Sequence, residues 1–168
     1  MRAARLALAA TGTADLECRS FDTLSGGEKQ RVVIASALAQ FDGIADATFE
    51  GSWSPDGRTP VEGQILVLDE PTAALDLHYQ VDVGLLLRRL NERAGLTMVV
   101  STHDLQFAAQ VCDAVVLIKD GRVLAAGPTD TTLTPTTVRA LYGVEVDELV
   151  HADGRRVLVS VGLPERRR

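Results

Sequence analysis

The chain has 168 residues, enough for one compact domain with a real core. Apolar residues make up 46% and charged residues 24%, the balance of an ordinary soluble globular protein. A net charge of -6 gives a nucleic-acid partner no electrostatic support. No apolar run approaches the roughly 20 residues that a membrane span needs, so a membrane role has to come through a partner.

The first segment carries Arg2 and Arg5 before Leu6-Ala7-Leu8-Ala9-Ala10, which superficially resembles an export signal. The apolar stretch is short, and Asp15 and Glu17 follow at once, so it reads as part of the folded protein. Cys18 and Cys112 have neither metal-ligand nor disulfide-framework spacing and read as reduced, packed thiols.

A helix is predicted from about Gly27 to Gln40, with Val33, Ala37 and Leu38 on one face. It opens on Leu24-Ser25-Gly26-Gly27-Glu28-Lys29-Gln30-Arg31. A helix start offers free N–H groups and a positive dipole end, and glycine lets the backbone approach an anion. Ser25 before two glycines is equally a plain N-cap, and spacing alone leaves both readings open.

The stretch Asp42 to Gly63, rich in Gly and Pro, reads as an exposed loop with Trp53 as its one large anchor. Three apolar runs follow: Ile65-Leu66-Val67-Leu68, Met98-Val99-Val100 and Ala114-Val115-Val116-Leu117-Ile118. None alternates with polar residues, which suggests strands buried on both faces. Helical spacing of Val81, Leu85, Leu86 and Leu90, and less cleanly of Leu105, Ala108, Ala109 and Val111, fills the intervals. The order strand, helix, strand, helix, strand reads as parallel βαβ units in an α/β sheet.

Beyond the third strand, Asp120-Gly121 predicts a tight turn into Arg122–Ala125. Thr134-Pro135 predicts the cap and first turn of a short helix reaching Tyr142. A last hairpin is expected from Glu148–Ala152, a turn at Asp153-Gly154, and Arg155–Val161. Arg166-Arg167-Arg168 reads as a solvated tail.

Two strand ends carry chemistry. Asp69-Glu70 follows the first apolar strand, where ligands of open α/β sheets bind. Asp69 there can hold Mg²⁺ through water, and Glu70 can orient or deprotonate a water; two merely solvated acids are the plainer alternative. His103, in Ser101-Thr102-His103-Asp104 after the second strand, can donate to a phosphate or be a surface histidine beside an N-cap. Asp76, in Ala73-Ala74-Leu75-Asp76, is a fair N-cap. His78 and His151 have no such context.

Taken in order, these motifs resemble the nucleotide-binding subunits of ABC transporters over nearly the whole chain. They are the signature LSGGEKQR, the Walker B strand ILVLDEP, the D-loop AALD and the switch histidine of STHD. The resemblance implies an α/β fold: a partial P-loop NTPase-type (ABC ATPase) domain, with a parallel sheet and flanking helices, lacking the N-terminal phosphate-loop portion. Residues 1–40 would hold part of a helical subdomain, 41–63 a loop insertion, and 64–168 the C-terminal part of the catalytic core. Ser25, Gly26, Gly27 and Glu28 would face ATP held mainly by a second subunit. Asp69 would support Mg²⁺ through water, Glu70 would be the general base, His103 would sense the terminal phosphate, and Asp76 would couple the two shared sites. The implied partners are a second ATP-binding subunit, a transmembrane permease and, indirectly, an extracytoplasmic substrate-binding protein, with no nucleic acid. The implied place is the cytoplasmic membrane face.

A finer resemblance, to importers of iron-siderophores, haem or cobalamin, rests on His103-Asp104-Leu105, Ala108-Ala109, Cys112-Asp113, Gly121, Gly127 and Leu141-Tyr142-Gly143-Val144. The family's GxxxxGK[ST] loop is absent: the only lysines are Lys29 and Lys119, and neither follows a glycine. Its adenine-stacking aromatic and Q-loop glutamine precede the signature and are expected to be missing as well. Ser36 and Ala73 replace the usual Arg and Ser without removing a catalytic group. The isolated chain is therefore expected to bind ATP weakly, to hydrolyse it negligibly and to leave strand faces near Ile65 and Met98 uncovered. Two other roles remain open: a non-catalytic subunit lending its signature helix to a partner, and a soluble ABC ATPase acting on nucleic acid or ribosomes.

Overall fold

The computed structural model describes residues 2–41, 64–73, 75–152, 154 and 156–163. The expected loop at 42–63 with Trp53, Ala74 of the D-loop motif, Asp153 and Arg155 of the last hairpin, and the arginine tail lie outside the described residues. The chain forms two compact units, Met1–His103 and Asp104–Arg168.

In the first unit, the export-like start is a helix, α1 (Arg2–Ala10), with Ala7 buried. Gly12, at φ 67°, ends it, and the Thr13 N–H closes back on the Leu8 carbonyl at 2.8 Å. The Thr11 and Thr13 hydroxyls are buried but mutually bonded at 2.8 Å, and both reach the Leu8 carbonyl, so neither polar group is stranded. Arg5 pairs with Glu17 at 2.7 Å and folds the following turn back on the helix.

Helix α2 (Gly26–Leu38) packs against α1. It buries Gly27, Ile34, Ala35 and Leu38, whereas Val33 is exposed. The predicted face of Val33, Ala37 and Leu38 is thus displaced by one residue, because Leu38 fits two stripes and only packing decides between them.

Strand β1 (Ile65–Asp69), helix α3 (Leu77–Ala94) and strand β2 (Thr97–Ser101) form a parallel βαβ unit. Gly95, in the left-handed region at φ 64°, ends α3 with its N–H donating to the Asn91 carbonyl at 3.0 Å, and the Asn91 side-chain amide donates to the Leu96 carbonyl at 3.0 Å. The register pairs Ile65 with Thr97 and Asp69 with Ser101. Burial in β1 alternates: Leu66 and Leu68 are inside, while Ile65 and Val67 are exposed. Val99 of β2 is exposed too. The expectation of burial on both faces is corrected here, and the expected uncovered face is present at Ile65, Val67 and Val99, with Met98 partly buried. An apolar run states that both faces suit a core; it does not supply the second layer.

Helix α3 shows the same division. Val83, Leu86, Leu87 and Leu90 are buried, whereas Leu77, Val81 and Leu85 form an exposed stripe at four-residue spacing. Of the four residues read at helical spacing, Leu86 and Leu90 are therefore buried and Val81 and Leu85 are exposed.

The second unit begins with α4 (Leu105–Val111), capped by Asp104, whose carboxylate accepts from the Gln106 and Phe107 N–H groups at 2.9 and 3.0 Å. Strands β3 (Ala114–Lys119) and β4 (Arg122–Pro128) pair antiparallel. The expected turn is present, with Asp120 and Gly121 at φ 50° and 71°, the geometry a two-residue hairpin needs. The third apolar run pairs with its sequence neighbour β4, which the turn brings alongside.

A short helix α5 (Thr129–Thr132) leads to α6 (Pro135–Tyr142), which has the predicted Thr134 cap, Pro135 in its first turn and Gly143 at φ 70°. The last hairpin is β5 (Glu145–Val150) against β6 (Arg156–Gly162), starting three residues before the predicted Glu148. Leu117, Leu133, Val138 and Val146 form this unit's core. The Cys112 thiol is held above its ordinary range by burial and then by Asp113, which suits a packed, unreactive group; both cysteines are free.

Substitution tests the face assignment of α3. Leu87→Ala should cost about 2–5 kcal/mol by urea denaturation, as for a fully enclosed leucine. Leu85→Ala, on the exposed stripe, should cost about 0.5 kcal/mol or less.

Candidate functional site

The acids at the end of β1 are held by the end of β2. Because the register sets Asp69 beside Ser101, the Ser101 hydroxyl donates to the Asp69 carboxylate. The Glu70 N–H donates to the Ser101 carbonyl at 3.0 Å and lies 3.2 Å from the Ser101 hydroxyl oxygen. Two residues on, the His103 Nδ1 meets the Glu70 carboxylate at 2.8 Å.

Glu70 takes a left-handed backbone, φ 46°, which is uncommon for a residue with a Cβ. Such a conformation persists only where its surroundings enforce it. Here the Glu70 carbonyl accepts from the Ala73 N–H at 3.0 Å, and Pro71 and Thr72 are buried just behind it. The turn thereby directs the carboxylate to His103 while the strand end keeps Asp69 on Ser101.

Ser101 carries a role that motif reading did not give it. The signal lay in strand pairing: once Asp69 and Ser101 are opposite, the hydroxyl is the nearest donor to the acid. His103 itself is largely exposed.

A second cluster surrounds the start of α2. Ser25 is the N-cap, its hydroxyl accepting from the Glu28 N–H at 3.4 Å and its own N–H donating to the Glu28 carboxylate at 2.7 Å. This is a reciprocal capping box. Of the two readings left open above, the cap is present. A methyl group on Gly26 would lie 3.8 Å from Leu75 Cδ2, an ordinary contact, so nothing crowds the backbone there. Asp76 stands at the N-cap position of α3 as predicted, yet its side chain makes no capping hydrogen bond and is exposed.

The donor set suits a hard cation that keeps its water: two carboxylates and a hydroxyl at one strand end. Among the described residues no group of three or more His, Cys, Asp or Glu is arranged to hold a metal ion. Mg²⁺ bound chiefly through phosphate oxygens and water fits that arrangement; an all-protein cage does not.

No protein-family model matches the chain. Curated relatives do. It is 37% identical over 147 residues to the hemin import ATP-binding protein HmuV of Bordetella pertussis, which covers 88% of this chain and 51% of that one. It is 40% identical over 148 residues to HmuV of Gloeobacter violaceus, covering 88% and 48%. The cobalamin import ATP-binding protein BtuD of Halobacterium salinarum is 38% identical over 140 residues, covering 83% and 30%. Among solved structures, an inward-facing metal-chelate type ABC transporter matches 97% of this chain and 57% of its own, with TM-score 0.75 and 27% identity. The cbiO1 chain of Clostridium perfringens, part of the ABC transporter complex cbiONQ, matches 82% and 47%, with TM-score 0.61 and 29% identity. The chain is a homologue of ABC ATP-binding subunits. It has their α/β fold in part, and it spans about half the length of the HmuV proteins it matches.

The capping box makes stability pH-dependent in a defined sense. The Ser25 N–H, then the Ser25 hydroxyl, hold the Glu28 carboxylate below its ordinary 4.5. A lowered folded-state pKa adds stability above the unfolded value and loses it as pH falls through the folded one. Glu28→Gln should therefore narrow the loss of thermal stability between pH 7 and about pH 3, measured by circular dichroism.

Proposed function

We propose that this ABC homologue supplies the signature helix, the acid pair and the switch histidine of a shared ATP site in an importer's ATP-binding subunit. The observation that carries the reading is the contact of Glu70 with His103 at 2.8 Å beside the Ser101-bound Asp69. A base needs orientation before proton transfer, and a partner on its carboxylate provides it.

Glu70 takes the proton of the attacking water, and His103, bonded to it, reports whether the terminal phosphate is present. Asp69, oriented by Ser101, holds a water of hydrated Mg²⁺; ATP with Mg²⁺ supplies the phosphoryl group and its charge neutralisation. Ser25 and Gly26, with Glu28 bracing the cap and Gly27 buried behind them, face ATP seated on a second subunit, and exposed Asp76 lies at the interface between the two. The partners are that second subunit and a transmembrane permease, with a substrate-binding protein acting indirectly, at the cytoplasmic face of the membrane. Among the described residues no helix is long and apolar enough to cross a membrane. The cargo class is an iron chelate, haem or cobalamin, in line with the hemin and cobalamin import relatives.

The 168 residues contain no GxxxxGK[ST] loop, so most of the phosphate cradle has to be supplied from outside them. The 168-residue chain alone should show no ATP turnover above background in a phosphate-release assay. Mixed with a polypeptide carrying the loop and its strand, it should acquire turnover, and Glu70→Gln should lower it by about 100-fold or more. Turnover by the chain alone that Glu70→Gln abolishes contradicts the shared-site reading. Ser101→Ala should lower turnover in the mixture about tenfold and Ser101→Thr by less, since threonine retains the hydroxyl.

A further inference from the structure

The two signature glycines are not equivalent. Gly26 has ordinary space around it, whereas a methyl group on Gly27 would lie 2.3 Å from Tyr79 Cδ1, 2.6 Å from Cγ and 2.8 Å from Cε1. Carbon atoms in contact prefer about 3.5–4.0 Å. Gly27 is buried within α2 and is not among the glycines with positive φ, so backbone freedom does not explain it. What excludes a side chain there is the ring of Tyr79.

Tyr79 lies in the first turn of α3, three residues beyond Asp76. Leu75, the neighbour of Gly26, immediately precedes Asp76. The Gln80 side chain donates to the Leu75 carbonyl at 3.0 Å, and the Gln80 N–H donates to the Asp76 carbonyl at 3.0 Å, so the turn carrying Asp76 is tied to the helix that carries the ring. The start of α2 and the Asp76 turn thus meet through Leu75 on Gly26 and Tyr79 on Gly27.

We propose that Tyr79 is a positioning residue that locks the signature helix start to the Asp76 turn, so that the two present themselves to a nucleotide-loaded partner as one rigid edge. The proposal rests on the shared-site reading above. Gly27 serves the ring, and Gly26 is left as the glycine whose backbone an anion can approach. The ring acts by shape, so its hydroxyl is dispensable.

Thermal denaturation of the full chain tests the packing. Gly27→Ala should lower Tm by about 5 °C or more, because overpacking forces a ring or helix shift. In a Tyr79→Ala background the same change should cost less than half as much, even where Gly27→Ala alone does not fold. An equal shift in both backgrounds overturns the proposal.

The positioning role has its own readout. Take the chain joined by a loop-bearing polypeptide, with Glu70→Gln in every sample to stop turnover. Light scattering then gives the ATP concentration for half-maximal association of two such assemblies. Tyr79→Ala should raise it about tenfold, and Tyr79→Phe should leave it within about twofold. An unchanged value for Tyr79→Ala beside a coupled stability cycle makes the ring purely structural and overturns the proposal. If assemblies with Tyr79 intact never associate on adding ATP, the shared-site reading fails and takes the positioning role with it; the stability cycle then still decides the Gly27–Tyr79 packing.

Discussion

The parallel register of β1 and β2 is the constraint on which the acid cluster depends. It sets Asp69 opposite Ser101 and ends both strands at the same level. A shift by one residue would turn every side chain of a strand to its other face. Asp69 would lose the hydroxyl, and the Glu70 N–H would lose its acceptors on Ser101. Leu66 and Leu68, buried on one face of β1, oppose such a shift, because it would exchange them for Ile65 and Val67. Apolar burial along β1 thus fixes the geometry of the polar groups at its end.

The same economy appears at the helix starts. The capping box of Ser25 and Glu28 satisfies N–H groups that α2 would otherwise leave open, and it presents a serine hydroxyl where the dipole end is positive. The strained backbone of Glu70 is held from the other side, by buried Pro71 and Thr72 and by a turn hydrogen bond. The backbone at both places is thus held by local capping and burial. Local capping and burial can specify such an arrangement even with one face of β1 exposed.

Similarity to hemin and cobalamin import ATP-binding proteins covers most of this chain and about half or less of each of them. The exposed apolar residues of β1, β2 and α3 lie in the unit that contains the acid cluster. Exposed apolar surface of this kind marks either a partner or an aggregation hazard.

The sequence by itself determined the motif order, the βαβ crossover, the Asp120-Gly121 turn and the Thr134-Pro135 helix start. Each of these follows from local chemistry: a turn dipeptide, a capping hydroxyl or an apolar run of strand length. Tertiary structure alone decided which stripe of α2 and α3 is buried and that β1 has one covered face. The physical reason is that periodicity identifies faces able to be buried but not the layer that will cover them. Ser101 and Tyr79 were hidden for a related reason. Their contacts join residues 32 and 52 positions apart, to Asp69 and to Gly27, and only strand register and helix packing bring those partners together.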